Sequence, residues 1–432
     1  MVFYAFLVPA TNGIALTKPL TPFILGPMTR PSYPSTAPDA AADEATLAQR
    51  LVQTFSPSGR ENPAAVVLLD AFRELNFDEA YLDDAGNAVG ILRCGSATRG
   101  AGGRTVMLNG HIDTVPLGDE AEWPHPPLSG VVEDGRLWGR GACDMKAALA
   151  CMVYAAKDAA PDLNGTVVVT GVVQEEVGGL GARHVGETMT ADVVILGEPS
   201  KLKLMLGHRG RVEVVVSLPG KIAHAAKNEL GENALYRAGR FLAQAEELTL
   251  PSGGPLGASS LTPTSLTSYP QNGKNVVPGR AELTVDYRNI PGDEPEAILE
   301  RLQALDPDAR LSVPNEDAHS ENGEVTATFP RIVPVYLAPG DHGDVSTARS
   351  TLKKVMVEAE HPYGEDCWWF GTDAPHLVKT TTDGVVIGFG PGEEELAHTT
   401  RESVPLEHLR VARLGYAALL RAYLGRELGE RA

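Results

Sequence analysis

Apolar residues along this chain fall into two textures, and the change between them comes near residue 208. Before it, amphipathic helices are expected over ATLAQRLVQTF (45–55) and AAVVLLDAFRELNF (64–77), where apolar positions recur at helical spacing. YLDDAGNAVGILR (81–93) alternates like an edge strand broken by an Ala-Gly-Asn turn. RTVMLNG, TVVVTGVV and ADVVILG are short, continuously apolar and bounded by turn residues, the pattern of strands buried on both faces. The helical stretch KAALACMVYAAKDAA lies between the first two. Strands and helices alternating in this way predict an α/β fold around a mostly parallel sheet. Past residue 208, RVEVVVSLPG, SLTPTSLTSYP and RAELTVDYRN alternate with period two, as strands do when one face is wet. ENALYRAGRFLAQAEEL and DEPEAILERLQAL are amphipathic helices among them. A smaller α+β domain inserted into the larger one is therefore expected. The first texture returns after about residue 332 with GVVIGFGPG and the long helix VPLEHLRVARLGYAALLRAYL. The expected plan is an N-terminal extension over 1–45, the larger domain over 46–207 and 333–432, and the insert over 208–332.

The informative polar residues sit where the buried strands stop. LNGHIDTVP (108–116) ends a strand in His111 and Asp113, which lie two apart and so face the same side. A carboxylate beside an imidazole fixes its tautomer and raises its basicity, the usual support of a metal-ligating histidine. WGRGACDMKAALA places Asp144 at a glycine-rich turn entering a helix. VVTGVVQEEVGGLGAR ends a strand in Glu175 and Glu176, VVILGEPS ends another in Glu198, and GFGPGEEELAHTT leads to His398. Taken singly, each reads as a helix cap, a solvated turn or a surface histidine. Together they occupy the carboxyl ends of strands, where open α/β sheets build their sites. His111, Asp144, Glu176, Glu198 and His398 offer two imidazoles and three carboxylates, a donor set for one or two Zn²⁺-like ions. If Asp144 bridges, ions about 3.5 Å apart would acidify a shared water and polarise a carbonyl. Glu175 lies on the other side of the chain from Glu176 and is left free to act as general base.

Charge and cysteine content narrow the surroundings. Lys and Arg total 37 against 56 Asp and Glu, a net charge of −19. Such a surface argues against nucleic acid and anionic membranes as partners. The four cysteines show no CxxC spacing, so neither a disulfide framework nor a thiolate zinc site is indicated, and a reducing cytoplasm fits. The opening MVFYAFLVPATNGIALTKPLTPFILG is apolar but broken by prolines, a poor membrane span and a poor signal peptide. The stretch after it reads as a disordered lead-in, with translation starting near Met28 as an alternative.

GHIDTVP, GRGACDMK, EEVGGLGA, GEP and GPG…AH, in that order, resemble the metal-dependent aminoacylase and carboxypeptidase superfamily. The most similar-looking branch is that of acetylornithine deacetylase and succinyl-diaminopimelate desuccinylase. The resemblance runs from residue 46 to the end. It implies a catalytic domain with two Zn²⁺ ions (Co²⁺ or Mn²⁺ in some members) and an inserted lid that dimerises. His111 and Glu198 would then hold one ion, Glu176 and His398 the other, and Asp144 would bridge. Asp113 would orient His111, Glu175 would be the base, and a cis peptide would follow the bridging residue at Asp144–Met145. GKIAHAA offers His224 as the lid histidine that serves the partner subunit's site. NVVPGRAELTVDYRNIPG resembles the lid segment that grips the substrate carboxylate, which points to Asn275 and Arg288. GTDAPHL (Gly371, Thr372, Asp373) resembles a substrate loop. One departure is that AAKNELGENA lacks the proline that usually follows the lid histidine, so the shape of that loop is not carried over.

The function these features imply is hydrolysis of an amide in a small N-acyl amino acid, a deacetylase or desuccinylase type of reaction, in a homodimer. A dipeptidase or carboxypeptidase on the same scaffold is the alternative enzyme. A catalytically silent binding protein would require the loss of a ligand or of the base, and the sequence retains all of them.

Overall fold

The computed structural model describes residues 43–95, 103–381 and 384–425. The expected extension and the question of Met28 fall, as far as Ala42, outside these residues. Asp43 caps the first helix, Glu44–Val52, by accepting from the Thr46 amide at 2.8 Å.

Among the described residues nine strands form the main sheet. Its order is Glu79–Leu82, Ala88–Cys94, Gly165–Val172, Thr105–His111, Val193–Leu196, Val385–Gly388, Leu204–His208 and Tyr336–Leu337, with Glu365–Trp368 also pairing Leu204–His208. The four central strands, Gly165–Val172 through Val385–Gly388, run parallel, and antiparallel strands flank them. Burial on both faces explains the unbroken apolar runs. Val106, Leu108, Val167, Val169, Val193 and Ile195 face one core with the helices Ala147–Ala159, Gly343–Glu358 and Leu406–Leu424. Met107, Val168, Val172, Val194 and Leu196 face the other with Ala182, Val185 and Leu377. The segment 81–93 is a hairpin rather than one edge strand: Gly86 turns it at φ 91, and Ala88–Cys94 lies inside the sheet.

A separate sheet is built wholly from residues 211–333. Ser260–Tyr269, Arg280–Arg288, Arg211–Pro219 and Arg310–Ser312 pair in that order, all antiparallel, and Ile332–Val333 adds to Arg211–Pro219. Its period-two pattern sorts the side chains. Val212, Val214, Val216, Leu283, Val285 and Tyr287 pack under the helices Ala234–Glu246 and Pro295–Gln303, whose Phe241, Ile298 and Leu302 complete that core. Arg211, Glu213, Asp286 and Arg288 alternate with these and lie on the opposite face. Pro263 is tolerated because Ser260–Tyr269 is an edge strand, and the register slips next to it. A two-stranded hairpin, Asn315–His319 with Thr326–Pro330, leaves this sheet and seats Phe329 and Ala318 on Leu180. Among the described residues no helix is long and apolar enough to cross a membrane.

Candidate active site

Five strand-end clusters meet in one cleft. His111 closes the strand Thr105–His111, Glu175 and Glu176 follow Gly165–Val172, Glu198 follows Val193–Leu196, and His398 lies on the loop after Val385–Gly388. Asp144 enters from the turn after Gly141, which needs its φ of 80, and the Asp144–Met145 peptide is cis as expected. Two triads result, His111–Asp144–Glu198 and Asp144–Glu176–His398, each with its ligand atoms within 4.8 Å of one another. His111 Nε2 lies 2.9 Å from Asp144 Oδ1 and 3.9 Å from Glu198 Oε1. His398 Nε2 lies 3.2 Å from Asp144 Oδ2 and 3.0 Å from Glu176 Oε2. Asp144 is thus the shared member.

The electrostatics follow from crowding. Burial pushes His111 down, yet the Asp113, Asp144 and Glu198 carboxylates outweigh it and hold the imidazole well above its ordinary value. Hydrogen bonds to Asp144 and Glu176 lift His398 to about 10. Burial alone would raise Asp144, but the two imidazoles pull it below the ordinary carboxylate range. Burial pushes Glu198 up, with Asp144 adding to it. Glu175 is also raised by burial, next by Glu198 and Asp373. No lysine or arginine pairs with Asp144, Glu176 or Glu198 among the described residues, so the positive charge facing these three carboxylates comes from the protons drawn onto His111 and His398. A mixed nitrogen and oxygen donor set in which only protonated imidazoles supply positive charge fits divalent metal in place of those protons.

Asp113 holds this site together in a way the His-x-Asp spacing only half reveals. His111 Nδ1 sits 3.0 Å from the Asp113 carbonyl oxygen and 3.5 Å from its Oδ1. The buried carboxylate chiefly accepts from other groups: the Glu175 amide at 3.1 Å, the Glu176 amide at 3.3 Å and the Ser58 hydroxyl at 2.7 Å. It therefore ties the loop carrying Glu175 and Glu176 to the strand end carrying His111. Glu402, which sequence reasoning missed, does the same for Asp144. Its Oε1 accepts from the Cys143 and Asp144 amides at 3.0 and 3.1 Å, and its Oε2 pairs with buried Arg140 at 2.6 Å.

A cavity of about 440 Å³ opens above the triads. Glu175, Gly178, Arg183, Arg288, Phe329 and Gly371 are among its lining residues. Arg288 reaches it, but Asp286 already holds its guanidinium at two points, Nε–Oδ1 2.6 Å and Nη2–Oδ2 3.1 Å. Thr372 and Asp373 are buried behind Gly371, and burial lifts Asp373 to about 7. His224 and Asn275 do not line the cavity. Both are exposed on the two-stranded ribbon formed by Ala223–His224 and Val276–Val277, where the Ala225 amide donates to the Asn275 carbonyl at 2.9 Å.

The profile described as "Peptidase family M20/M25/M40" matches residues 107–422. The chain is 29% identical over 408 residues to "Uncharacterized protein YgeY" of Escherichia coli K12, covering 90% of this chain and 97% of that one. It is 33% identical over 338 residues to acetylornithine deacetylase of Myxococcus xanthus, covering 77% and 83%. Among solved structures, an M20 family metallo-carboxypeptidase of Sulfolobus solfataricus superposes with TM-score 0.67 at 16% identity, covering 89% and 99%. That likeness is one of fold.

Proposed function

The chain belongs to peptidase family M20/M25/M40, and from that premise we propose that it is a metal-dependent amidohydrolase releasing the acyl group of a small N-acyl amino acid. The observation that carries this reading is Asp144 shared between two histidine–carboxylate triads, with Glu175 beside them and outside both. His111 and Glu198 would hold one Zn²⁺ (or Co²⁺ or Mn²⁺), and Glu176 and His398 the other. Metal bound there supplies an acidified water and a polarised acyl carbonyl. Glu175 then takes a proton from the attacking water and delivers it to the departing nitrogen. A carboxylate raised by burial suits that double duty, because it holds an acquired proton more firmly than an ordinary glutamate until the leaving nitrogen takes it. Asp113 keeps Glu175 and His111 in register.

The insert over 208–332 acts in this reading as a lid that closes over the cleft and pairs two subunits. His224 is exposed and away from its own chain's cavity, which supports a role at the partner's site, where it would stabilise the developing oxyanion. Arg288 retains Nη1 and with Gly371 contacts the substrate in its own chain's cavity, whereas Asn275, on the ribbon with His224, contacts it at the partner's site. No disulfide joins the cysteines among the described residues, in keeping with a cytoplasmic location. The deacetylase among the relatives favours an N-acyl amino acid over a dipeptide. The test is hydrolysis of N-acetyl and N-succinyl amino acids alongside dipeptides, with Zn²⁺ or Co²⁺ added. Release of free amino acid from the N-acyl arms supports the proposal. Turnover of dipeptides alone would replace it with a dipeptidase.

A further inference from the structure

Four arginines line the cavity, and three of them are already neutralised. Arg288 and Arg211 share Asp286, with Arg211 Nε at 2.7 Å. Arg211 and Arg331 share Glu213 at 3.1 and 2.9 Å, and Arg331 also pairs with Glu316 at 2.7 Å. These six residues form a continuous ladder of alternating charge on the lid side of the cavity.

Arg183 differs from them. It stands on the helix Leu180–Thr188, which follows directly from the Glu175–Glu176 turn. Its Nε donates to the Gly178 carbonyl at 3.0 Å, and its guanidinium carbon lies 4.0 Å from the centre of the Phe329 ring. Gly178 makes that stacking possible: at φ 117, a Cβ there would stand 2.5 Å from Phe329. These contacts fix the guanidinium plane and consume neither Nη group. Among the described residues Arg183 forms no ion pair. Asp373 and Glu187, the acids that act on it, do so through space. A pre-oriented, half-buried guanidinium with two free Nη donors, lining the same cavity as the proposed base, is a built receptor for a planar anion.

We propose that Arg183 binds a carboxylate of the substrate remote from the scissile amide. The preferred substrate is then an N-acyl amino acid with an additional acidic group, either on the acyl chain (a dicarboxylic acyl group) or on the amino-acid side chain. The bond cleaved rests on the amidohydrolase reading above; the anion preference rests on Arg183 alone.

The experiment compares N-succinyl-alanine, N-acetyl-alanine and N-acetyl-glutamate with metal-loaded wild type, Arg183→Gln and Arg183→Lys, with metal content verified in each. Wild type should favour at least one acidic arm over N-acetyl-alanine in kcat/KM. Arg183→Gln should lower that arm by roughly ten- to hundredfold, the worth of a charge-assisted hydrogen bond, and N-acetyl-alanine much less. Arg183→Lys should keep part of the preference. The N-succinyl and N-acetyl-glutamate arms separate an acyl from a side-chain carboxylate. Equal handling of acidic and neutral arms by wild type, or an equal loss on all arms in Arg183→Gln, overturns the inference. If no arm is hydrolysed, the amidohydrolase reading fails instead. Calorimetric binding of N-succinyl-alanine and N-acetyl-glutamate against N-acetyl-alanine then decides the role of Arg183: a gap for either acidic compound that Arg183→Gln abolishes supports it, and no gap for both refutes it.

Discussion

Replacing Asp113 by asparagine tests how the site is held in shape. The carboxylate accepts the Glu175 amide at 3.1 Å, the Glu176 amide at 3.3 Å and the Ser58 hydroxyl at 2.7 Å, all from a fully buried position. Asparagine offers one acceptor oxygen where aspartate offers two. Whichever way the amide turns, its NH₂ faces at least one backbone N–H that then stays buried and unpaired. Losing a charged acceptor costs about 1.5–3 kcal/mol, and a stranded donor adds to it, so Asp113→Asn should destabilise the metal-free protein by about 2–4 kcal/mol. Ser58→Ala removes only the hydroxyl and should cost about 0.5–1.5 kcal/mol. Because His111 and Glu176 both lean on Asp113, metal affinity should fall by about 10–100-fold. Urea unfolding gives the first quantity, and competition with a chromophoric chelator gives the second. An Asp113→Asn protein with stability within about 0.5 kcal/mol of wild type and undiminished metal affinity would refute the positioning role.

Three further outcomes follow. In the metal-free protein His398 is lifted from 6.5 to about 10 by Asp144 and Glu176, so metal must displace a proton whenever the pH lies below that value. Metal affinity should rise about tenfold per pH unit for each proton released and flatten above about 10; chelator competition at about pH 6 and pH 8 showing no change would contradict this. The same proton stabilises the metal-free fold, fully below 6.5 and decreasingly as pH rises through about 10. If His224 serves the partner's site, inactive His224→Ala and inactive Glu175→Gln subunits should regain part of the activity when mixed, since one site of the mixed dimer is whole; no recovery after verified subunit exchange would place His224 in its own site or outside catalysis.

Most of the donor set was legible in the sequence for a physical reason. Buried parallel strands must be apolar along their length, so the polar residue ending each one is conspicuous, and His111, Glu176 and Glu198 stand out in this way. Asp144 and His398 are placed by turns, and only the company of the others gives them meaning. Glu402 and Arg140 were invisible because their pairing spans 262 residues and neither sits in a pattern. The period-two texture of RVEVVVSLPG and RAELTVDYRN tells which side chains share a face. It does not tell that this face carries the Arg211–Glu213–Asp286–Arg288 ladder into the cavity. Arg183 is one polar residue on an amphipathic helix, and its role depends on Phe329 arriving from a hairpin, NEDAHSENGEVTATFP, with too few apolar residues to announce itself. The helix Gly343–Glu358 is a different kind of miss: Val345, Ala348, Leu352, Val355 and Met356 recur at helical spacing and could have been read.

The proposed reaction turns on Glu175 moving a proton without holding metal. Glu175→Gln, prepared with Zn²⁺ or Co²⁺ and assayed on the best N-acyl substrate, measures both properties in one protein. Two bound metal ions per chain with kcat lowered by about two to four orders of magnitude is the result the account predicts. Loss of a metal ion with activity restored on adding metal would contradict it, and would exchange the roles of Glu175 and Glu176.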